Sequence, residues 1–181
     1  MQILFLMADG FEETEFVTPF DYFQRAGFQV ALASVSGNLT VSGAHGLKIQ
    51  ADFALSGIDA AKFDAVLLPG GGPGVKNLKA SADVEKIVCD FNDLDKWIFA
   101  ICAAPLVLSK AGILVDRKVT CFPGCEGELV CNEFSEERVV VDGNIVTSRG
   151  AGTAEEFAFG CIAQMGGVEL AEKIRHQVVA R

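Results

Sequence analysis

Residues 97–106 read WIFAICAAPL, an apolar run that breaks into a cysteine, two alanines and a proline. The run WIFAI suits a strand covered on both faces of a sheet. Pro105 fits the first turn of a helix, where its missing N–H costs nothing, and Gly112 closes the pattern AAPLVLSKAG. Cys102 is therefore expected where a buried strand becomes a helix. Three further runs repeat the strand signal: ILFLM (3–7), VALASV (30–35) and AVLLP (65–69). Between them, EFVTPFDYFQRAG repeats Phe16, Phe20 and Phe23 at helical spacing and stops at Gly27. SADVEKIVCDFNDL puts Val84, Ile87, Val88 and Phe91 on one side, with Ser81 as N-cap. This alternation predicts an α/β fold, a doubly wound, mostly parallel sheet with helices on both faces.

Two departures are expected. VVVDGNIVTS (139–148) reads as a hairpin turning at Asp142-Gly143-Asn144, and residues 38–52 as another small one. In GTAEEFAFGCIAQM, Thr153 and Glu156 stand at capping-box spacing before a helix whose apolar face holds Phe157, Cys161, Ile162 and Met165. A last helix is expected over 168–179, and residues 1–181 as a single domain.

The chain has 181 residues, 50% apolar and 22% charged, with a formal charge of -9. Such a charge argues against a nucleic-acid partner. The apolar runs fall far short of the roughly 20 residues of a membrane span. MQILFLMADG reads as a strand rather than a signal peptide, which predicts a cytoplasmic protein without membrane contact. Free thiols are then the expectation for the six cysteines. Cys121, Cys125 and Cys131 are irregularly spaced and lack a nearby histidine, so no metal site is expected.

In such a sheet, ligands bind beyond the carboxyl ends of the strands. Three strand ends carry unusual residues: ADGFEETE (8–15), GGGPG (70–74) and Cys102. A cysteine at that junction resembles a nucleophile elbow, with Ala100 and Ala104 small enough for the tight turn. Helix N–H groups would favour its thiolate, which predicts a lowered pKa. A plain core thiol is the competing reading. Gly71 and Ala103 N–H groups could form an oxyanion hole, with Gly70 and Gly72 lining the pocket, or the glycines could be a mere turn. Glu15 is the candidate for proton transfer, against the alternative of a charge on a helix dipole. Glu12 and Glu13 read as solvated loop charges. His45 sits on a connection that could reach the crevice, and Arg149 could hold an anion or form an ordinary ion pair.

Taken together, GFEETE, LLPGGGPG, AICAAPLVL, KVTCFPG and TSRGAGTAEEFA resemble the ThiJ/PfpI superfamily, in the branch of the parkinsonism-associated deglycase and bacterial YajL. The resemblance spans nearly the whole chain. It implies a flavodoxin-like three-layer sandwich and a homodimer. It assigns Cys102 as the reactive cysteine, Glu15 as its partner carboxyl, and Gly71 and Ala103 as the oxyanion amides. Arg25 matches an arginine near the dimer interface, and His45 falls where relatives often carry an arginine; both are counted with the pocket rim of the dimer. Ala103 and Phe122 stand where branches of the superfamily carry histidine, which argues against a Cys-His peptidase. The change of RGPGT to Arg149-Gly150-Ala151-Gly152-Thr153 removes a proline.

The resemblance implies a stress-protective, cofactor-free enzyme of glyoxalase or deglycase type, acting on reactive 2-oxoaldehydes and their adducts. The alternative is a redox-sensing chaperone with misfolded-protein clients, in which Cys102 is oxidised to a sulfinate. Hydrolase chemistry lacks a histidine relay, and nothing in the residues supports thiazole monophosphate biosynthesis.

Overall fold

The computed structural model describes residues 1–181. Its first strand, β1 (Gln2–Met7), alternates side chains between two cores. Ile3, Phe5 and Met7 enter one, and Leu4 and Leu6 the other. Strands buried on both faces carry apolar residues at every position, because helices cover each side. After β1 come helix α1 (Glu13–Arg25) and β2 (Gln29–Ser34), then the small hairpin β3 (Thr40–Ser42) and β4 (Lys48–Gln50), and the short β5 (Phe53–Ala54). The chain then returns to the other side of β1 as β6 (Ala65–Leu68).

From β6 it passes through α2 (Gly72–Ala80) and α3 (Ala82–Asp93) to β7 (Trp97–Ile101) and α4 (Pro105–Lys110). A two-stranded patch follows, β8 (Lys118–Val119) beside β9 (Glu133–Phe134). The chain closes with the hairpin β10 (Val139–Asp142) and β11 (Ile145–Ser148), then α5 (Ala154–Gly166) and α6 (Val168–Gln177). The seven-stranded sheet runs β10-β11-β7-β6-β1-β2-β5, with only the β10–β11 pair antiparallel. Because β2 and β6 leave β1 in opposite directions, the switch point lies between β1 and β6, the place where such sheets bind their ligands.

Helices α1, α5 and α6 cover one face and α2, α3 and α4 the other, giving the three layers of a flavodoxin-like sandwich. Rings bind α1 to the sheet. Phe5 meets Phe16 edge-on at 5.7 Å and Phe23 at 5.9 Å, each pair adding about 1 kcal/mol. Tyr22 donates its hydroxyl to Glu155 Oε1 at 2.7 Å and stacks on Phe159, tying α1 to α5.

Ser81 accepts the Val84 N–H and caps α3, as its position predicts. The predicted capping box at α5 does not form. Thr153 Oγ1 instead receives the Gly150 N–H at 3.1 Å and bonds Ser148 Oγ, while Glu156 pairs with Arg138. The Thr153 hydroxyl is buried among closer partners, so it holds the preceding turn rather than the helix. The last helix ends at Gln177, two residues before the predicted limit. No helix is long and apolar enough to cross a membrane.

Candidate active site

Strands β1, β6 and β7 are adjacent and parallel, so the segments following them emerge on one edge. Those segments carry Glu15, Gly70-Gly71 and Cys102. Cys102 has φ of 66°, a left-handed backbone that a non-glycine residue adopts at a cost of about 1–3 kcal/mol. Its N–H donates to Ser148 O on β11, and its carbonyl accepts the Phe122 N–H at 2.8 Å. The strained elbow is thus held from both sides. Ala100 and Ala104 are fully buried beneath it, as the tight turn demands.

Glu15 is 1% exposed. It stands in the first turn of α1, whose N-cap is Glu12: the Glu12 carboxylate accepts the Glu15 N–H at 2.7 Å. The Glu15 carboxyl is aimed at the sheet edge, where Oε2 accepts the Gly70 N–H at 2.9 Å. The Cys102 thiol and the Ala151 N–H also lie near enough to the carboxyl to favour its charged form. Burial pushes Glu15 from its ordinary 4.5 up to about 7, the nearby Glu12 charge adds to this, and the three donors oppose it.

The thiol departs from the sequence expectation of a lowered pKa. Burial first, then the charge and hydrogen bond of Glu15, push Cys102 up to about 12. The Gly71 and Ala103 N–H groups pull the other way, but they are outweighed. Around neutral pH the two groups therefore share one proton and one negative charge, and they titrate as a pair.

Glycine is required at Gly70 for space. A methyl group there would run into the Glu15 carboxylate and lie 2.5 Å from Cys102 Cβ. At Gly71, φ of 90° and contact with the backbone of Gly10 and Glu12 exclude any side chain. Gly72 has open space around it and simply opens α2. The stretch GGGPG is thus half loop and half helix start.

The rim residues are less convergent. His45 is exposed and bonds Glu13 through Nδ1 at 2.7 Å, while its backbone N–H reaches the same carboxylate. Glu12 and Glu13 are consequently not solvated loop charges: one caps α1 and the other anchors the loop of His45. Arg25 pairs with Asp21 on the last turns of α1, about 15 Å along the axis from Glu15, and does not reach the crevice of its own chain. Arg149 makes no ion pair; its Nη1 is buried without a hydrogen-bond acceptor, and its charge acts on Cys121. All six cysteines are free thiols. The Ala151 N–H and Gly10 were missed as parts of the site. A glycine directly after the strand-end residues Ala8 and Asp9 was the available signal for Gly10; for a backbone N–H there was none.

Residues 1–164 match the DJ-1/PfpI family. Protein DJ-1 homolog B of Arabidopsis thaliana is 38% identical over 99% of this chain, which spans 42% of that relative's length. Deglycase PH1704 of Pyrococcus horikoshii is 34% identical over 82% of this chain and 90% of its own. Among solved structures, Drosophila melanogaster DJ-1beta superposes with a TM-score of 0.93 at 34% identity, covering 99% of this chain and 98% of that one. Similar to these relatives in both sequence and three-dimensional structure, the chain belongs to the DJ-1/PfpI family.

Proposed function

We propose that the chain is a cofactor-free enzyme that converts 2-oxoaldehydes to 2-hydroxy acids and acts on their adducts, as a glyoxalase or deglycase. The observation that carries this reading is a fully buried Glu15 carboxyl set against Cys102 at the elbow, so close that a methyl group on Gly70 would touch both. The name of the Pyrococcus relative supports it. In the first step the sulfur adds to the aldehyde carbon as Glu15 takes its proton, giving a hemithioacetal. Gly71 and Ala103 N–H groups would stabilise the oxyanion. Glu15 returns that proton to the oxyanion and, ionised again, carries the hydrogen from the former aldehyde carbon, as a proton, to the neighbouring carbon. The hydroxyl proton of the first carbon passes to the oxygen of the second. The first carbon is oxidised and the second reduced, leaving a thioester of the hydroxy acid. Water cleaves the thioester, releasing the acid and restoring the thiol. A homodimer belongs to the same reading.

The test is lactate formation from methylglyoxal by wild type, Cys102→Ser and Glu15→Gln. Both variants are expected to lose at least about 100-fold. The wild-type kcat/KM should rise with pH through about 7 as the pair loses its first proton. Equal rates in all three proteins would end the proposal.

A second reading draws on the same donors. Gly71 and Ala103 N–H groups and a protonated Glu15 would hold the oxygens of a Cys102 sulfinate, as a redox sensor requires. Mass spectrometry after mild peroxide checks it; a Cys102 that stays reduced while other cysteines oxidise would remove its basis.

A further inference from the structure

Phe122 is the only aromatic side chain among the exposed large hydrophobic residues, in a chain with fourteen phenylalanines. It is 48% exposed, and it is fixed in position rather than trailing into solvent. Its N–H donates to the Cys102 carbonyl at 2.8 Å, and its own carbonyl accepts the Cys125 N–H at 3.0 Å and the Cys121 thiol at 3.4 Å. The ring lies over Gly150. A methyl group on Gly150 would meet Phe122 Cδ2 at 3.3 Å and Glu15 Oε1 at 3.8 Å. The apolar ring and the reacting carboxyl thus border one spot, which the missing side chain of Gly150 leaves free.

We propose that Phe122 is a specificity-determining residue, an apolar wall that seats the substituent of the 2-oxoaldehyde and favours aryl over small or charged substituents. The class of reaction rests on the proposed function; the wall itself rests on the geometry alone. An aromatic ring offers stacking and edge contacts but no charge and no hydrogen-bond donor. A substituent that is itself a ring gains from it, whereas the hydrogen of glyoxal gains nothing. Differences of this kind, a ring accommodated or not, change kcat/KM by roughly 10-fold.

The test compares ratios, so that the unequal intrinsic reactivities of the reagents cancel between variants. The kcat/KM ratio of phenylglyoxal to glyoxal is measured for wild type, Phe122→Leu and Phe122→Ala. It is expected to fall about 5-fold in Phe122→Ala and to take an intermediate value in Phe122→Leu. Independently of turnover, Cys102 is alkylated with N-benzyliodoacetamide and with iodoacetamide, which share one reactive group, and its labelling is read by peptide mass spectrometry. The benzyl preference should fall in the same order. Ratios that stay constant across the three proteins overturn the wall. If wild type turns over neither aldehyde, the proposed function fails, and the alkylation ratio still decides the role of Phe122. Far-ultraviolet circular dichroism establishes that the variants are folded, and Phe122→Leu supplies an apolar side chain should Phe122→Ala unfold.

Discussion

Cys102 and Cys161 make an instructive pair, because both are flanked by apolar and small residues: WIFAICAAPL against FAFGCIAQM. Cys161 lies in the middle of α5, fully buried among side chains of the core, and burial alone holds its thiol well above the ordinary value. Cys102 is only partly buried and sits at φ of 66°, with a carboxyl and two N–H groups on its sulfur. An apolar neighbourhood raises both thiols. What separates them is a proton acceptor within reach and a backbone that holds the sulfur at the sheet edge. Under the proposed function, reactivity at Cys102 would come from a shared proton, since burial defeats a standing thiolate.

The widest separation should appear in alkylation. At pH 8 iodoacetamide is expected to label Cys102 at least about 1,000 times faster than Cys161, because reaching Cys161 requires the core to open. Comparable labelling of the two in the folded protein would erase the distinction.

Next in size is the effect of Glu15→Gln on stability. The folded chain raises this carboxyl from 4.5 to about 7, so it retains a proton that the unfolded chain has released. The stability this group confers is whole below about pH 4.5 and is lost as pH rises through 7, a change of about 3 kcal/mol. Glutamine, which can still accept the Gly70 N–H, removes that loss. Urea unfolding should find the variant gaining about 3 kcal/mol on wild type between pH 4 and pH 8.5. A difference that stays flat with pH would show that the carboxyl is not held protonated.

Gly70→Ala sharpens the contrast from the other side, since its methyl group would strike both members of the pair. A stability loss of about 2 kcal/mol is expected, with Gly72→Ala close to neutral. Equal losses at the two glycines would deny Gly70 its special position. Smallest is Cys161→Ala, which removes one buried sulfur and should cost about 1 kcal/mol with turnover unchanged. A large loss of turnover in that variant would mean that Cys161 is more than core.

Much of the fold was legible in local pattern. The runs ILFLM and AVLLP are apolar at every position because both faces of their strands are covered, and the helical spacing of Val84, Ile87, Val88 and Phe91 marks the buried side of α3. Turn chemistry predicted the β10–β11 hairpin, and Pro105 the start of α4. The capping box at Thr153 failed because the hydroxyl had nearer partners in Ser148 and Gly150, which lie just ahead of it but are oriented only by the strand end. Arg25 lies away from Glu15 along α1 because helical geometry carries it there, so within one chain it does not join the site.

Cys102 at a strand-to-helix junction, Glu15 in the first turn of α1 and the glycines after β6 follow from residue type and spacing, which local backbone preferences enforce. Whether the thiol ionises does not, because it depends on how far water is excluded and which charge lies within hydrogen-bond reach. Residue type and position predict backbone dipoles and a neutral, buried Glu15 beside the sulfur, and burial does raise Glu15, to about 7. Packing α1 against the sheet buried the sulfur and set a carboxyl beside it, and burial first, then the charge of Glu15, outweighs two backbone dipoles.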